Sequence, residues 1–92
     1  MIKGKTKSGF DFKIDERIGT DWRIITAISL AENGNDSEKI KGTTSLVHLM
    51  LADDENRFLE HIASKNDGFV PIKAVTDELV DILASLNATK NS

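Results

Sequence analysis

Two periods divide the chain. Between Phe10 and Asp15 apolar and charged residues alternate, with Phe10, Phe12 and Ile14 set against Asp11, Lys13 and Asp15. A period of two is that of a strand with one buried face. Upstream, Lys3, Lys5 and Lys7 alternate with Ile2, Gly4 and Thr6, so residues from about 2 to 15 are expected to form a β-hairpin. A two-residue turn at Ser8-Gly9 would set Lys5 against Phe12 and put lysines on the aromatic face. A three-residue loop, Lys7-Ser8-Gly9, instead pairs Ile2 with Ile14, Gly4 with Phe12 and Thr6 with Phe10, and brings Lys5 opposite Asp11. Such loops favour a left-handed residue at their last position, which Gly9 supplies. The three-residue register is the expected one.

Beyond Thr20 the pattern becomes helical. Thr20 or Asp21 can cap a first helix over about 21–32. In it Trp22, Ile25 and Ile28, with Ile24 and Leu30 beside them, make a wide apolar face, and Asn33-Gly34-Asn35 stops it. A second helix over about 37–51 starts at Asp36 or Ser37. Gly42 costs it about 1 kcal/mol, and "TTSLVHLML" also suits a strand by residue preference. Helical neighbours on both sides favour helix. Asp53 is the expected cap of a third helix over about 53–65, with Asp54 and Glu55 in its first turn and Phe58, Leu59 and Ile62 as its apolar stripe. Asn66-Asp67-Gly68 ends it. Pro71 suits the first turn of a fourth helix over about 71–87. Ile72, Val75, Leu79, Ile82, Leu83 and Leu86 recur there at helical spacing, with Asp77, Glu78 and Asp81 turned to solvent. Residues 88–92 lack apolar period and are expected to fray. The fold class is therefore mainly α: one domain over residues 1–92, a small four-helix body preceded by a β-hairpin.

Composition narrows the chemistry. A chain of 92 residues that is 39% hydrophobic and 29% charged is globular rather than disordered. The absence of cysteine removes disulfides, thiolate metal sites and cysteine nucleophiles. No apolar run approaches the ~20 residues of a membrane span, and Met1-Ile2-Lys3-Gly4-Lys5 is basic without the apolar stretch of a signal peptide. Net charge is −3, with lysines crowded at the start and acids in the second half. The lysine row lies on the outer face of a strand, partly opposed by aspartate, and is too narrow for phosphate binding.

Candidate chemistry is sparse. His48 interrupts an apolar run and reads as packed or edge-facing; His61 reads as a surface residue. Neither sits in a metal-ligand spacing. No serine lies in a nucleophile elbow, and no glycine-rich phosphate loop exists. Asp53-Asp54-Glu55 lacks the alternation of a calcium loop. No enzyme, cofactor or metal site is expected. The third and fourth helices, joined by a short corner, suggest a helix-turn-helix DNA reader. Its recognition helix would present Lys73, Thr76, Asp77 and Glu78 with net negative charge, which counts against it. A binding module fits better. Leu46, Val47, Leu49, Met50 and Leu51 cover more than one face of a single helix. They either lie at the centre of the bundle or leave surface for self-association or a helical partner.

The order of features, "SGFDFKIDE" from Ser8 to Glu16 and then "LVHLMLADDENRFLEHIASKNDGFVPIKAVTDELVDIL" from Leu46 to Leu83, resembles the small tail assembly chaperones of long-tailed phages and prophages of Gram-positive bacteria. Members often carry a Gly-Phe-x-Phe-x-Ile-Asp hairpin, a Leu-Leu-Gly-Asp/Glu junction, a Leu-x-x-His helix and Asp-Gly-Arg-Val-Pro before the last helix. Ala52 stands here in place of the usual glycine, which predicts a less sharply turned junction. Phe69 replaces the common arginine; it is either an apolar contact or, the reading favoured on the residues alone, part of the core.

The resemblance implies a non-enzymatic role. Such chaperones bind the tape measure protein in the host cytoplasm, keep its apolar surface from aggregating during tail assembly, and are absent from the finished virion. Many have a longer form, made by programmed frameshift, whose extension engages tail tube protein. Leu46, Val47, Leu49, Met50 and Phe69 are the candidate contacts with a tape measure helix or a second copy. The alternatives are a small phage regulator that binds DNA, or an adaptor or inhibitor of a host protein.

Overall fold

The computed structural model describes the backbone of residues 1–91 and the side chains of residues 1–86. An antiparallel hairpin, β1 (Ile2–Lys5) and β2 (Asp11–Ile14), leads through a 3-10 turn (Glu16–Thr20) into α1 (Trp22–Asn33) and α2 (Asp36–Leu51). A second 3-10 turn (Ala52–Asp54) precedes α3 (Glu55–Lys65), and α4 (Ile72–Asn91) completes the chain. The fold is mainly helical with an N-terminal hairpin. Strand pairing has the register the alternation predicts: Ile2 faces Ile14, Gly4 faces Phe12 and Lys5 faces Asp11. The Thr6 N–H donates to the Phe10 carbonyl at 2.9 Å, and Gly9 closes the loop at φ 97°. Period two thus puts Phe10, Phe12 and Ile14 in the core.

The first two helices start at side-chain caps. Asp21 caps α1, accepting from the Arg23 N–H. The α2 start falls at Asp36, one of the two expected positions. Asn35 is the cap, and a capping box with Glu38 satisfies two end donors reciprocally. The third helix starts later than expected. Asp53 falls inside the 3-10 turn and α3 begins at Glu55, because Ala52 bends the chain there. Ala52 has φ 46° and ψ −113°, so this junction is as sharply turned as a glycine would make it, with the strain carried by alanine. At the other end, α4 continues through Asn91 rather than fraying from residue 88; no glycine or proline interrupts it there. Ser92, part of the expected tail, lies outside the described residues.

The core is one cluster formed by the hairpin's inner face and all four helices. Its helical stripes are not all the expected ones. In α1 the inward residues are Ile24 and Ala27, with Ile28 and Ala31 packed against them, while Trp22 is 75% exposed and Ile25 and Leu30 face outward. The phase is set by α2. At Gly42 a Cβ would lie 2.5 Å from the Ala27 carbonyl oxygen and 2.6 Å from the Ala31 nitrogen. The two backbones meet where side chains are smallest, and that contact turns Trp22 out. In α4, Val75, Leu79, Ile82 and Leu86 are buried, but Ile72 is not.

Two opposite changes test this description. Gly42→Ala improves helix propensity by about 1 kcal/mol but forces apart two backbones, so a net destabilisation of about 1–2 kcal/mol is expected. Ala52→Gly relieves a positive φ and is expected to stabilise by about 1 kcal/mol. Urea titrations followed by circular dichroism measure both signs.

Acid response is a second test. The Arg17 guanidinium and N–H hold Asp15 down from the usual 3.8 to about 2, and Arg23 does the same for Asp21. Folding lowers both values, so their stabilisation is complete above about pH 5 and is lost as pH falls from 3.8 towards 2. The double variant Asp15→Asn, Asp21→Asn is expected to melt lower at pH 7 and to lose less than the parent between pH 5 and pH 2 in thermal melts.

Candidate functional site

The residues expected to meet a partner are mostly committed to the core. Leu46, Val47 and Met50 are buried and Leu49 is partly buried against the same cluster. The reason is the position of α2, which touches α1, α3, α4 and β2; a helix flanked on so many sides spends several apolar faces internally. Phe69 goes the other way. Favoured as a core residue on sequence, it is 73% exposed. The Asp67-Gly68 turn, with φ 55° and 89°, carries it outward, and its N–H is tied to the Asn66 carbonyl at 3.0 Å.

Apart from the outward residues of α1, accessible apolar surface lies between α2 and α4. A trough runs there in two connected parts. One, of about 190 Å³, lies among Val47, Leu59 and Val75 near the α4 start. The other, of about 290 Å³, lies among Ile28, Leu46, Leu79 and Leu83. Ile40, Thr43 and Ile72 belong to both. Ile40 is 52% exposed, Ile72 60% and Val80 56%, with Val70 also exposed. Leu46 and Val47 therefore serve this surface as its floor, whereas Leu49 and Met50 lie by a different, polar cleft that also includes Asp15, Asp21 and Asp53. The charged residues among the two linings are Glu55 in the first part and Glu32 and Lys39 in the second. Of the exposed residues, Val80 had a legible signal: it is out of phase with the buried α4 stripe, between Glu78 and Asp81. Ile40, between Lys39 and Lys41, is similarly isolated.

On the far side of α4 the hairpin tip is gripped by polar groups. Glu78, expected in solvent, is only 6% exposed. Thr6 Oγ1–H donates to its Oε1 at 2.8 Å and Ser8 Oγ–H at 2.5 Å. His61 Nε2 lies 2.8 Å from Ser8 Oγ and 3.9 Å from Glu78 Oε1. His61 is thus not a free surface residue; its ring also lies 5.4 Å from that of Phe10. The Lys7 N–H donates to Asp81 Oδ2 at 3.0 Å. Of the three acids expected on a solvated face, only Asp77 keeps an exposed site, where it accepts from Lys73 Nζ at 2.9 Å. His48 is exposed and pairs with Glu55.

The Ser8–His61–Glu78 group has the residue types of a catalytic triad but a different geometry. A triad carboxylate orients the imidazole through the nitrogen remote from the nucleophile. Here Ser8 and Glu78 both face Nε2, and the serine proton points to the carboxylate. This is a bracket between hairpin and helices. Among the described residues no group of three or more His, Cys, Asp or Glu is arranged to hold a metal. No helix of the described residues is long and apolar enough to cross a membrane.

No protein family, curated protein or solved structure matches the chain.

Because Glu78 carries the bracket, Glu78→Ala is expected to cost about 1–3 kcal/mol by removing the acceptor of the buried Thr6 hydroxyl and of the half-buried Ser8 hydroxyl, with Asp77→Ala within about 0.5 kcal/mol of the parent. Paired denaturant titrations read the difference.

Proposed function

We propose that this protein is a phage tail assembly chaperone that holds an amphipathic helix of a tape measure protein in the α2–α4 trough. One observation carries the reading: an elongated apolar trough, walled by Ile40, Ile72 and Val80 and floored by Leu46 and Val47, stays open on a small helical body. The resemblance in the hairpin and in the segment from Leu46 to Leu83 names the client.

A trough between two helices suits a third helix with apolar anchors at i, i+3 or i+4, and i+7. Its apolar walls supply affinity without demanding one sequence. Such tolerance suits a long client that offers many similar helical segments. The mostly apolar lining leaves few charges to be desolvated by a seated helix. The solvated acids elsewhere keep a coated complex dispersed. On this reading the protein acts in the bacterial host cytoplasm, leaves the finished virion, and meets tail tube protein only through a longer form.

Ile72→Glu and Val80→Glu place charge on exposed positions and leave the core intact. Each is expected to lower co-purification with a tape measure protein by at least tenfold, whereas Trp22→Glu, also exposed but outside the trough, retains it. Undiminished binding by correctly folded Ile72→Glu and Val80→Glu proteins rejects the trough as the client site.

A further inference from the structure

We infer that the Ala52 junction is a strained hinge at which α2 and α3 pass from a bent pair into one continuous helix, so that α3 and α4 move as a unit and exchange places between two chains. The first argument is local. Ala52, at φ 46° and ψ −113°, lies in a region that only glycine occupies without strain. Alanine is also the best helix former, and no glycine or proline stands between Gly42 and Gly68. The bend therefore contains no residue that stops a helix. It is imposed by the packing of α3, whose Phe58 and Ile62 are buried in the core.

The second argument is the helix ends. Asp54 gives the start of α3 no side-chain cap, unlike Asp21 at α1 and Asn35 at α2. A continuous helix pairs the first N–H groups of α3 with the last carbonyls of α2 and removes two helix ends at once. The third is register. Val47, Leu51, Phe58 and Ile62 are all buried and are spaced by four, seven and four residues. Straightening keeps them on one stripe, so the fused helix is amphipathic along its length.

A released α3–α4 unit exposes Phe58, Ile62, Leu79 and Ile82, and a second copy supplies the cover that this surface requires. It offers the same hairpin, α1 and α2, so the contacts that hold the monomer re-form between chains: Phe10 on Phe58, Thr6 and Ser8 on Glu78, and the Lys7 N–H on Asp81. The pair given up is His48–Glu55, exposed on its histidine side, whose residues lie about 10 Å apart along a straight helix. Short hinges under strain favour exchange of this kind.

The hinge does not rest on the chaperone reading and makes no use of the outer face of the trough. Its test therefore contains no client. Lys41 on α2 and Lys65 on α3 are exposed, and the chain has no cysteine of its own. Spin labels on a Lys41→Cys, Lys65→Cys chain, diluted with unlabelled protein, give their separation within one chain by pulsed electron resonance. A straight helix from residue 41 to residue 65 spans about 36 Å, and a bend at Ala52 shortens it. Refolded at several hundred micromolar, the chain is expected to yield a dimer fraction on size exclusion. The separation of about 36 Å is expected in that fraction, with the monomer keeping the shorter one. Ala52→Gly, which relieves the bend and weakens the straight helix, is expected to lower the dimer fraction at least fivefold. A chain that stays monomeric overturns the inference. So does a dimer that shows only the shorter separation, or a dimer fraction untouched by Ala52→Gly.

Discussion

The grip of the hairpin tip on α4 is the contact from which the rest of the surface follows. Thr6 and Ser8 close on Glu78, and the Lys7 backbone closes on Asp81. Beneath them Phe10 meets Phe58 edge to face at 5.2 Å and lies under the Arg57 guanidinium at 4.4 Å. These contacts draw α4 towards the hairpin and α3. On the other side, α1 and α2 are locked to each other by backbone approach at Gly42. All of these elements share one core, and the outer side of the seam between α2 and α4 is what they leave open.

That arrangement forgoes stability. Burying a side chain such as Ile72 or Val80 is worth about 1.5–3 kcal/mol, and a chain of this size has little to spare. The polar bracket shows how α4 is held without them: a buried carboxylate with two hydroxyl donors is favourable in low dielectric when its partners are in place. The apolar walls left over are then available to something else.

Much of the fold was legible in the sequence. Alternation through Phe10, Phe12 and Ile14, with Gly9 to turn the chain, specified strand, loop length and register together, because only one register kept lysine off the aromatic face. The helical stripe of α4 was legible through Val75, Leu79, Ile82 and Leu86. What was not legible depended on pairing at a distance. Trp22 and Ile25 looked like a core face because they are large, yet the phase of α1 is decided by Gly42, fifteen or more residues away along the chain. Glu78 looked like its neighbours Asp77 and Asp81 because nothing local marks a carboxylate whose donors lie 70 and 72 residues upstream. Leu46, Val47 and Met50 were read as surplus because α2 carries more apolar residues than one face needs; four neighbouring elements take them up. Phe69 was read inward, but a positive-φ pair before it sends it out.

The central claim is that the trough between α2 and α4 is where an amphipathic helix is held. Amide and methyl chemical-shift mapping, with labelled protein and a peptide from an apolar-striped helix of the tape measure protein, tests it most directly. The account predicts that perturbations concentrate at Ile40, Thr43, Ile72 and Val80, while Glu78, Ser8 and Trp22 stay in place. Shifts centred on the Trp22 face or on the hairpin tip, with the trough residues unmoved, would contradict it.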